Sequence, residues 1–175
     1  GKIDEKFMNL PKEVLITVMR VHQKYFALQD KNNLIKPYFV VVSNMPKQSL
    51  RDKNIIFGNE KVLRARLADA KFHWENDRSK NFSEMLYKLK NVSYFEGLGS
   101  LYDKSIRLEK ISEYISNQLK FKNVHNIKRA ALLCKIDLIT GMVGEFPELQ
   151  GVMGGYYSSK EGKDVSKLIG GHYKP

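Results

Sequence analysis

The sequence predicts an α+β fold, mainly α, with a small N-terminal helix plus an antiparallel hairpin followed by a helical bundle. Two runs near the start, residues 22–29 and 38–42, flank a polar turn, and the second is dense in β-branched and aromatic side chains. From residue 58 onward apolar side chains recur three and four apart instead, the spacing of one helical face.

Taken in order, Pro11 opens the first helix, where its missing N–H breaks no bond, and Val14, Leu15, Val18 and Met19 supply the apolar side. The hairpin turns at Asp30-Lys31-Asn32-Asn33, whose asparagines tolerate the positive φ that a tight connection often needs. Asn44-Met45-Pro46 ends the second strand, and residues 47–54 read as a basic loop. Asn59 is placed to cap a helix with Leu63, Leu67, Ala70 and Trp74 on its buried face. A weaker helix is expected over 83–89. A long one is expected over 101–119, with Leu108, Ile111 and Ile115 on its buried stripe. The next starts near Asn126 and sets Ile127, Ala131, Cys134 and Leu138 on one face. Glycines at 141, 144, 151, 154 and 155 loosen the following stretch, in which Pro147 breaks or starts a helix, and a last short helix follows Asp164. The expected domains are 1–57, containing the hairpin, and 58–175, the helical part.

The chain of 175 residues suits one large domain or two small ones, and 42% hydrophobic residues suffice for a real core. Lys and Arg number 30 against 19 Asp and Glu, a surplus of +11. Such a surplus points to a polyanion, nucleic acid or an anionic membrane surface; the alternative is a solvated basic surface. The single cysteine, Cys134, excludes an internal disulfide framework and a cysteine zinc cluster, and fits a reducing compartment. No stretch approaches the roughly 20 apolar residues of a membrane-spanning helix, and no signal-peptide pattern opens the chain. Gly1 in first position and the end at His172-Tyr173-Lys174-Pro175 lead us to expect a piece cut from a longer chain.

Arg64, Lys71 and Arg78 recur every seven residues and so lie near one line along a helix, an arrangement that can follow a phosphate backbone. Asp69, Glu75 and Asp77 dilute that field, and a solvated face is the alternative. Lys128, Arg129 and Lys135 form a second basic patch. Lys128 and Arg129 fall in a first helical turn, where cations oppose the helix dipole, so either a function or a nearby carboxylate is needed. His22, Lys24, Tyr25 and Phe26 fall in the first expected strand, where aromatics and donors together can hold unpaired nucleotides. Strand alternation puts Tyr25 and Phe26 on opposite faces, so at least one is core. No catalytic or metal site is predicted. The histidines, His22, His73, His125 and His172, have no partner ligand at a recognised spacing, and the phosphate-loop, dinucleotide, zinc-helix and nucleophile-elbow motifs are missing. Cys134, in an apolar stripe, reads as packing. Glu145 and Glu148 near Pro147 are the nearest approach to an acid–base pair.

Three stretches, in order, carry a resemblance that covers essentially the whole chain. They are EVLITVMRVHQKYFALQD with PYFVVVSN, then IIFGNEKVLRARLADAKFHWENDR, then LKNVSYFEGLGSLYDKSIRLEKISEYI followed by RAALLCKIDLITGMVGEFPELQGVMGGYY. Together they resemble the β subunit of the bacterial heterotetrameric α2β2 glycyl-tRNA synthetase. The resemblance implies a non-catalytic internal segment of a subunit several times longer, one that helps to bind and position tRNA. The α subunit would do the chemistry, joining glycine to tRNA(Gly) at the expense of ATP, with Mg. No cofactor is expected in this segment. Expected partners are tRNA(Gly), the α subunit and the remainder of β, with neither membrane nor DNA, in the cytoplasm. The tRNA contacts inferred from charge and spacing are Arg64, Lys71, Arg78, Lys128, Arg129, His22 and Lys24.

Part of that family's β subunit resembles an HD-type phosphohydrolase fold, and the helical part here is similar to the start of that domain, in degenerate form. Metal-binding HD proteins carry adjacent His and Asp in a setting like ALLHD. Here ALLCK puts Cys134 and Lys135 at those positions, and a lysine would repel the cation that the carboxylate holds. Asp137, two residues on, reads as structural. Two alternatives are a docking scaffold for the rest of the synthetase, anchored by Trp74, Phe146, Tyr156 and Tyr157, and a metal-dependent HD phosphohydrolase, which the missing His-Asp pair disfavours.

Overall fold

The computed structural model describes residues 1–44 and 49–174, and its contacts separate Gly1–Glu75 from Asn76–Pro175. That division falls later than the junction expected at 57/58, because one helix, α2 (Ser49–Arg78), runs unbroken past that position. Met45-Pro46 and residues 47–48 of the expected basic loop lie outside the described residues, whereas 49–54, also expected as loop, are helical.

In the first unit, α1 (Lys12–Thr17) starts directly after Pro11 and continues into a π-helical turn, Val18–His22. Val14, Leu15, Val18 and Met19 are buried, as their spacing requires. Strand β1 (Phe26–Gln29) pairs antiparallel with β2 (Ile35–Val40), with Phe26 opposite Val40 and Ala27 opposite Phe39. His22, Lys24 and Tyr25 therefore lie outside the strand expected for them. The π turn carries the helix as far as His22, and Lys24 takes a left-handed φ of 59° to enter the strand. The second strand also ends at Val40, earlier than expected. Its turn is built as expected: Asn33 has φ 60°, and the Asp30 carboxylate accepts the N–H groups of Asn32 at 2.9 Å and Leu34 at 3.0 Å. The start of the chain lies along β2, where Lys2 bridges to Tyr38 and the Ile3 N–H donates to Pro37.

Asn59 lies inside α2 and is not its cap. Its amide donates to the Ile55 carbonyl at 2.8 Å and accepts from the Tyr25 hydroxyl at 2.6 Å, which pins the hairpin to the helix. Leu63, Leu67 and Ala70 are buried, and Trp74 is half-buried. Tyr25 stacks on Phe39 with ring centroids 4.8 Å apart, completing this core.

The second unit is a bundle. A 3-10 helix, Ser83–Asn91, stands where the weaker helix is expected. A small hairpin of β3 (Ser93–Phe95) and β4 (Gly99–Ser100), unforeseen in the sequence, leads into α3 (Leu101–Gln118). Ser100 and Asp103 close a reciprocal capping box at the start of α3. Then come α4 (Val124–Leu133), α5 (Gly141–Glu145), α6 (Val152–Tyr157) and α7 (Lys163–Gly171), with Pro147 opening a 3-10 turn before α6. Phe82, Met85, Leu86, Leu89, Leu133, Ile136, Val165 and Ile169 are among the side chains of one core.

On α3 the expected apolar stripe is corrected: Leu108 is only half-buried, and Ile111 and Ile115 are 55% and 47% exposed. The buried positions of α3 are Leu101, Ser105 and Ser116. Helix α6 lies against α7 at two glycines: a Cβ on Gly155 would stand 2.9 Å from the Gly170 Cα, so the close approach requires glycine there.

Candidate functional site

Because α4 begins at Val124 rather than near Asn126, Lys128 and Arg129 fall in its second turn and not the first, and each meets a carboxylate. The Lys128 ammonium stands 2.8 Å from Glu113 of α3, and that hydrogen bond raises its pKa. Arg129 grips Glu161 with both edges of its fork, Nε to Oε2 at 2.8 Å and Nη2 to Oε1 at 3.0 Å, and Nη2 also donates to Ser83 Oγ at 2.9 Å. Ser83 donates to Glu161 as well. Arg129, with Ser83, holds the Glu161 carboxyl below the usual carboxylate range. The dipole cost expected of cations in a first turn therefore does not arise, and the Arg129 fork is used within the fold.

Of the remaining basic candidates Arg64, Arg78 and Lys24 are exposed, and Lys71 and His22 are half-buried. In the first unit Arg64 pairs with Asp4 at 3.0 Å and Lys71 reaches Glu75 at 3.7 Å, both partly exposed. Arg78, exposed, is the last residue of α2 and belongs to the second unit. Lys24 donates back to the Val21 carbonyl at 2.9 Å, and His22 closes the π turn half-buried.

Cys134 and Lys135 follow directly on α4. The thiol donates to the Ala131 carbonyl at 3.2 Å, and burial pushes its pKa up, which makes it a packing group. Lys135 is only 8% exposed. Its Nζ lies 2.8 Å from His172 Nε2 and 3.9 Å above the Tyr173 ring. His172 Nδ1 is 2.7 Å from the Ile169 carbonyl, so Nδ1 carries the proton and Nε2 accepts from the lysine. Burial lowers the His172 pKa from its ordinary value, and the nearby ammonium lowers it further.

Two buried carboxylates complete the picture. Asp137, completely buried, accepts the backbone N–H of Gly151 at 2.6 Å and of Gly154 at 3.1 Å through Oδ2, and so fastens the start of α6. Burial raises its pKa. Asp77, in sequence only a charge diluting the basic line, is 4% exposed. It accepts from Gly141 N at 3.2 Å, Met142 N at 2.9 Å and the Tyr157 hydroxyl at 3.3 Å, and pairs with Lys80 at 3.0 Å. Tyr157 is correspondingly pushed well above its ordinary pKa, burial leading and Asp77 adding. The sequence does carry a signal for it: Asp77 lies three residues beyond Trp74, on the continuation of the buried stripe of α2.

Between α3, α4 and α7 lies a cavity of about 920 Å³. Leu108, Ile127, Ala131 and Leu168 are among its apolar walls; of the face expected on α4, Ile127 and Ala131 line the cavity, whereas Cys134 belongs to the core and Leu138 packs against it. Lys104, Lys135, Lys167 and Asp164 carry its charge. Among the described residues no group of three or more His, Cys, Asp or Glu could hold a metal ion. The Lys135 ammonium at the position of the HD carboxylate does not fit a divalent cation. Among the described residues no helix is long and apolar enough to cross a membrane.

Comparison with known proteins gives a family match over residues 1–175, to the family described as glycyl-tRNA synthetase beta subunit. Among similar proteins, the glycine–tRNA ligase beta subunit of Rickettsia prowazekii is 49% identical over 100% of this chain and 26% of its own length. That of Thermodesulfovibrio yellowstonii is 46% identical over 97% of this chain and 25% of its own. That of Bacillus subtilis is 41% identical over 100% and 26%. The chain spans about a quarter of the length of the relatives it matches.

Proposed function

The chain belongs to the glycyl-tRNA synthetase beta subunit family, and from that premise we propose that it is a non-catalytic segment that helps to bind and position tRNA(Gly) for glycylation. The family membership and the net charge of +11 together support this reading. In it the α subunit, which would use ATP and Mg, carries the chemistry in the cytoplasm, and no residue of this chain is assigned to that step. Arg64, Lys71, Arg78 and Lys128 are the proposed phosphate contacts. The carboxylates that pair with three of them, Asp4, Glu75 and Glu113, lie on partly exposed surface, where an ion pair contributes little and exchanges readily for a phosphate. His22, Lys24 and Arg129 are weaker candidates, since the first two shape a turn and the third holds Glu161. Contacts of this kind orient the tRNA without reading its sequence.

A second reading, a docking surface for the rest of the synthetase, has its own observation. Ile111, Tyr114 and Ile115 of α3, with Leu119 and Phe121 beyond it, are each between 47% and 67% exposed. Phe146, expected as an anchor for that role, is instead completely buried in its own unit.

Charge reversal at Arg64, Lys71 and Lys128 in a full-length β subunit, assayed with its α subunit, distinguishes the two. The positioning reading expects the KM for tRNA to rise at least tenfold while glycine-dependent pyrophosphate exchange is unchanged. An unchanged KM rejects it, and loss of subunit assembly favours the docking surface.

A further inference from the structure

We propose that the cavity between α3, α4 and α7 is a binding site for the phosphate monoester of a nucleotide. Lys135, in its wall, is 8% exposed, and among the described residues no carboxylate lies within ion-pairing distance of its ammonium. Its partners are a neutral imidazole nitrogen and an aromatic face. A buried cation without an anion is costly, and proteins retain such groups where a ligand supplies the anion.

The lining selects the kind of anion. Lys104, Lys135 and Lys167 face one carboxylate, Asp164, which leaves two uncompensated positive charges. The Lys104 ammonium also sits 3.8 Å over the Tyr94 ring. His172 adds no charge, because its Nε2 accepts from Lys135. Two positive charges match a phosphate monoester, close to a dianion at neutral pH, better than a single carboxylate or an internal phosphodiester. The volume selects the remainder. About 920 Å³ is far more than a phosphate fills and lies within the range of small-molecule sites. Ile127, Ala131 and Leu168 offer apolar wall to a flat base, and the amides of Asn123 and Asn126 offer donors and acceptors to its edge. A nucleoside monophosphate combines the dianion, the flat apolar body and the polar edge. It could come as a free mononucleotide or as the phosphorylated 5′ end of an RNA. The inference does not rest on the tRNA-positioning reading, since a chain that ignores tRNA could still bind the nucleotide.

The test titrates the 175-residue chain with AMP, following heat of binding and the imidazole resonances of His172 by NMR. Adenosine, inorganic phosphate and a short RNA with and without a 5′ phosphate form the other arms. The expected result is saturable AMP binding that shifts His172, at least tenfold tighter than adenosine. K135M should weaken it at least tenfold and K135R should retain it. A131F, which fills the cavity from α4 one turn before Lys135 and leaves the lysine in place, should block it too, so the test survives if K135M misfolds. A 5′-phosphorylated RNA that binds as well as AMP identifies the RNA end as the source, and preference for AMP identifies the mononucleotide. The proposal is overturned if His172 does not respond to millimolar AMP, or if folded K135M and A131F bind AMP like the wild type.

Discussion

Replacing Asp137 with Ala and with Asn separates a structural carboxylate from a metal ligand at the one acidic residue close to the degenerate HD position. Oδ2 of Asp137 accepts two backbone N–H groups, from Gly151 and Gly154, and both bonds are buried. D137A leaves both donors without an acceptor, at about 1–3 kcal/mol each, so a loss of about 3 kcal/mol is expected. For a unit of this size each kcal/mol moves the midpoint by about 4–8 °C, so D137A should lower Tm by more than about 10 °C. D137N keeps an acceptor oxygen for the same two donors. Its new amide takes the place of Oδ1, which has no hydrogen-bond partner among the described residues. It also removes a carboxylate that burial already disfavours in its charged form. D137N should therefore stay within about 1 kcal/mol of the parent. Calorimetry of the three proteins, with and without added Mn²⁺ or Zn²⁺, reads the outcome. A D137A midpoint within a few degrees of the parent would refute the anchoring role, and metal-induced stabilisation lost in D137N would reassign Asp137 as a ligand.

Other expectations rest on contacts of the same kind. Arg129 and Ser83 depress the Glu161 pKa, so the stabilising contribution of Glu161 is complete above its ordinary value of 4.5 and is lost as pH falls through the folded value. E161Q should remove that part of the acid limb in thermal melts, which lies below about pH 4.5. Gly155→Ala brings a methyl onto the Gly170 backbone and should cost about 1–3 kcal/mol in urea unfolding. Leu133→Ala, in the core, should cost about 2–5 kcal/mol, whereas Ile111→Asn, on exposed surface, should stay within about 0.5 kcal/mol of the parent.

How far the sequence is legible depends on which elements local chemistry decides. Pro11, the Asp30–Asn33 turn and the Leu63, Leu67, Ala70 stripe act through neighbours in sequence, and each appears where it is expected. Ile111 and Ile115 are exposed against expectation because an apolar spacing marks a face without saying what covers it. Two of the three buried positions of α3 are serines instead. His22 reads as strand because a π turn has no composition signal of its own. At the candidate site, Cys134 and Lys135 are legible through resemblance. The meeting of Lys135 with His172 joins residues far apart in the chain, which spacing cannot show. Arg129 is legible as a cation needing an explanation, but its carboxylate, Glu161, comes from a turn after α6 that no local pattern announces.

The most direct test of the central claim is titration of this chain with transcribed glycine tRNA at two salt concentrations, beside the charge-reversed variant R64E/K71E/R78E. The account predicts binding that weakens steeply with salt and is lost in the variant, because each phosphate contact releases counterions. Absence of binding at low salt, or binding indifferent to both salt and the three substitutions, would contradict it.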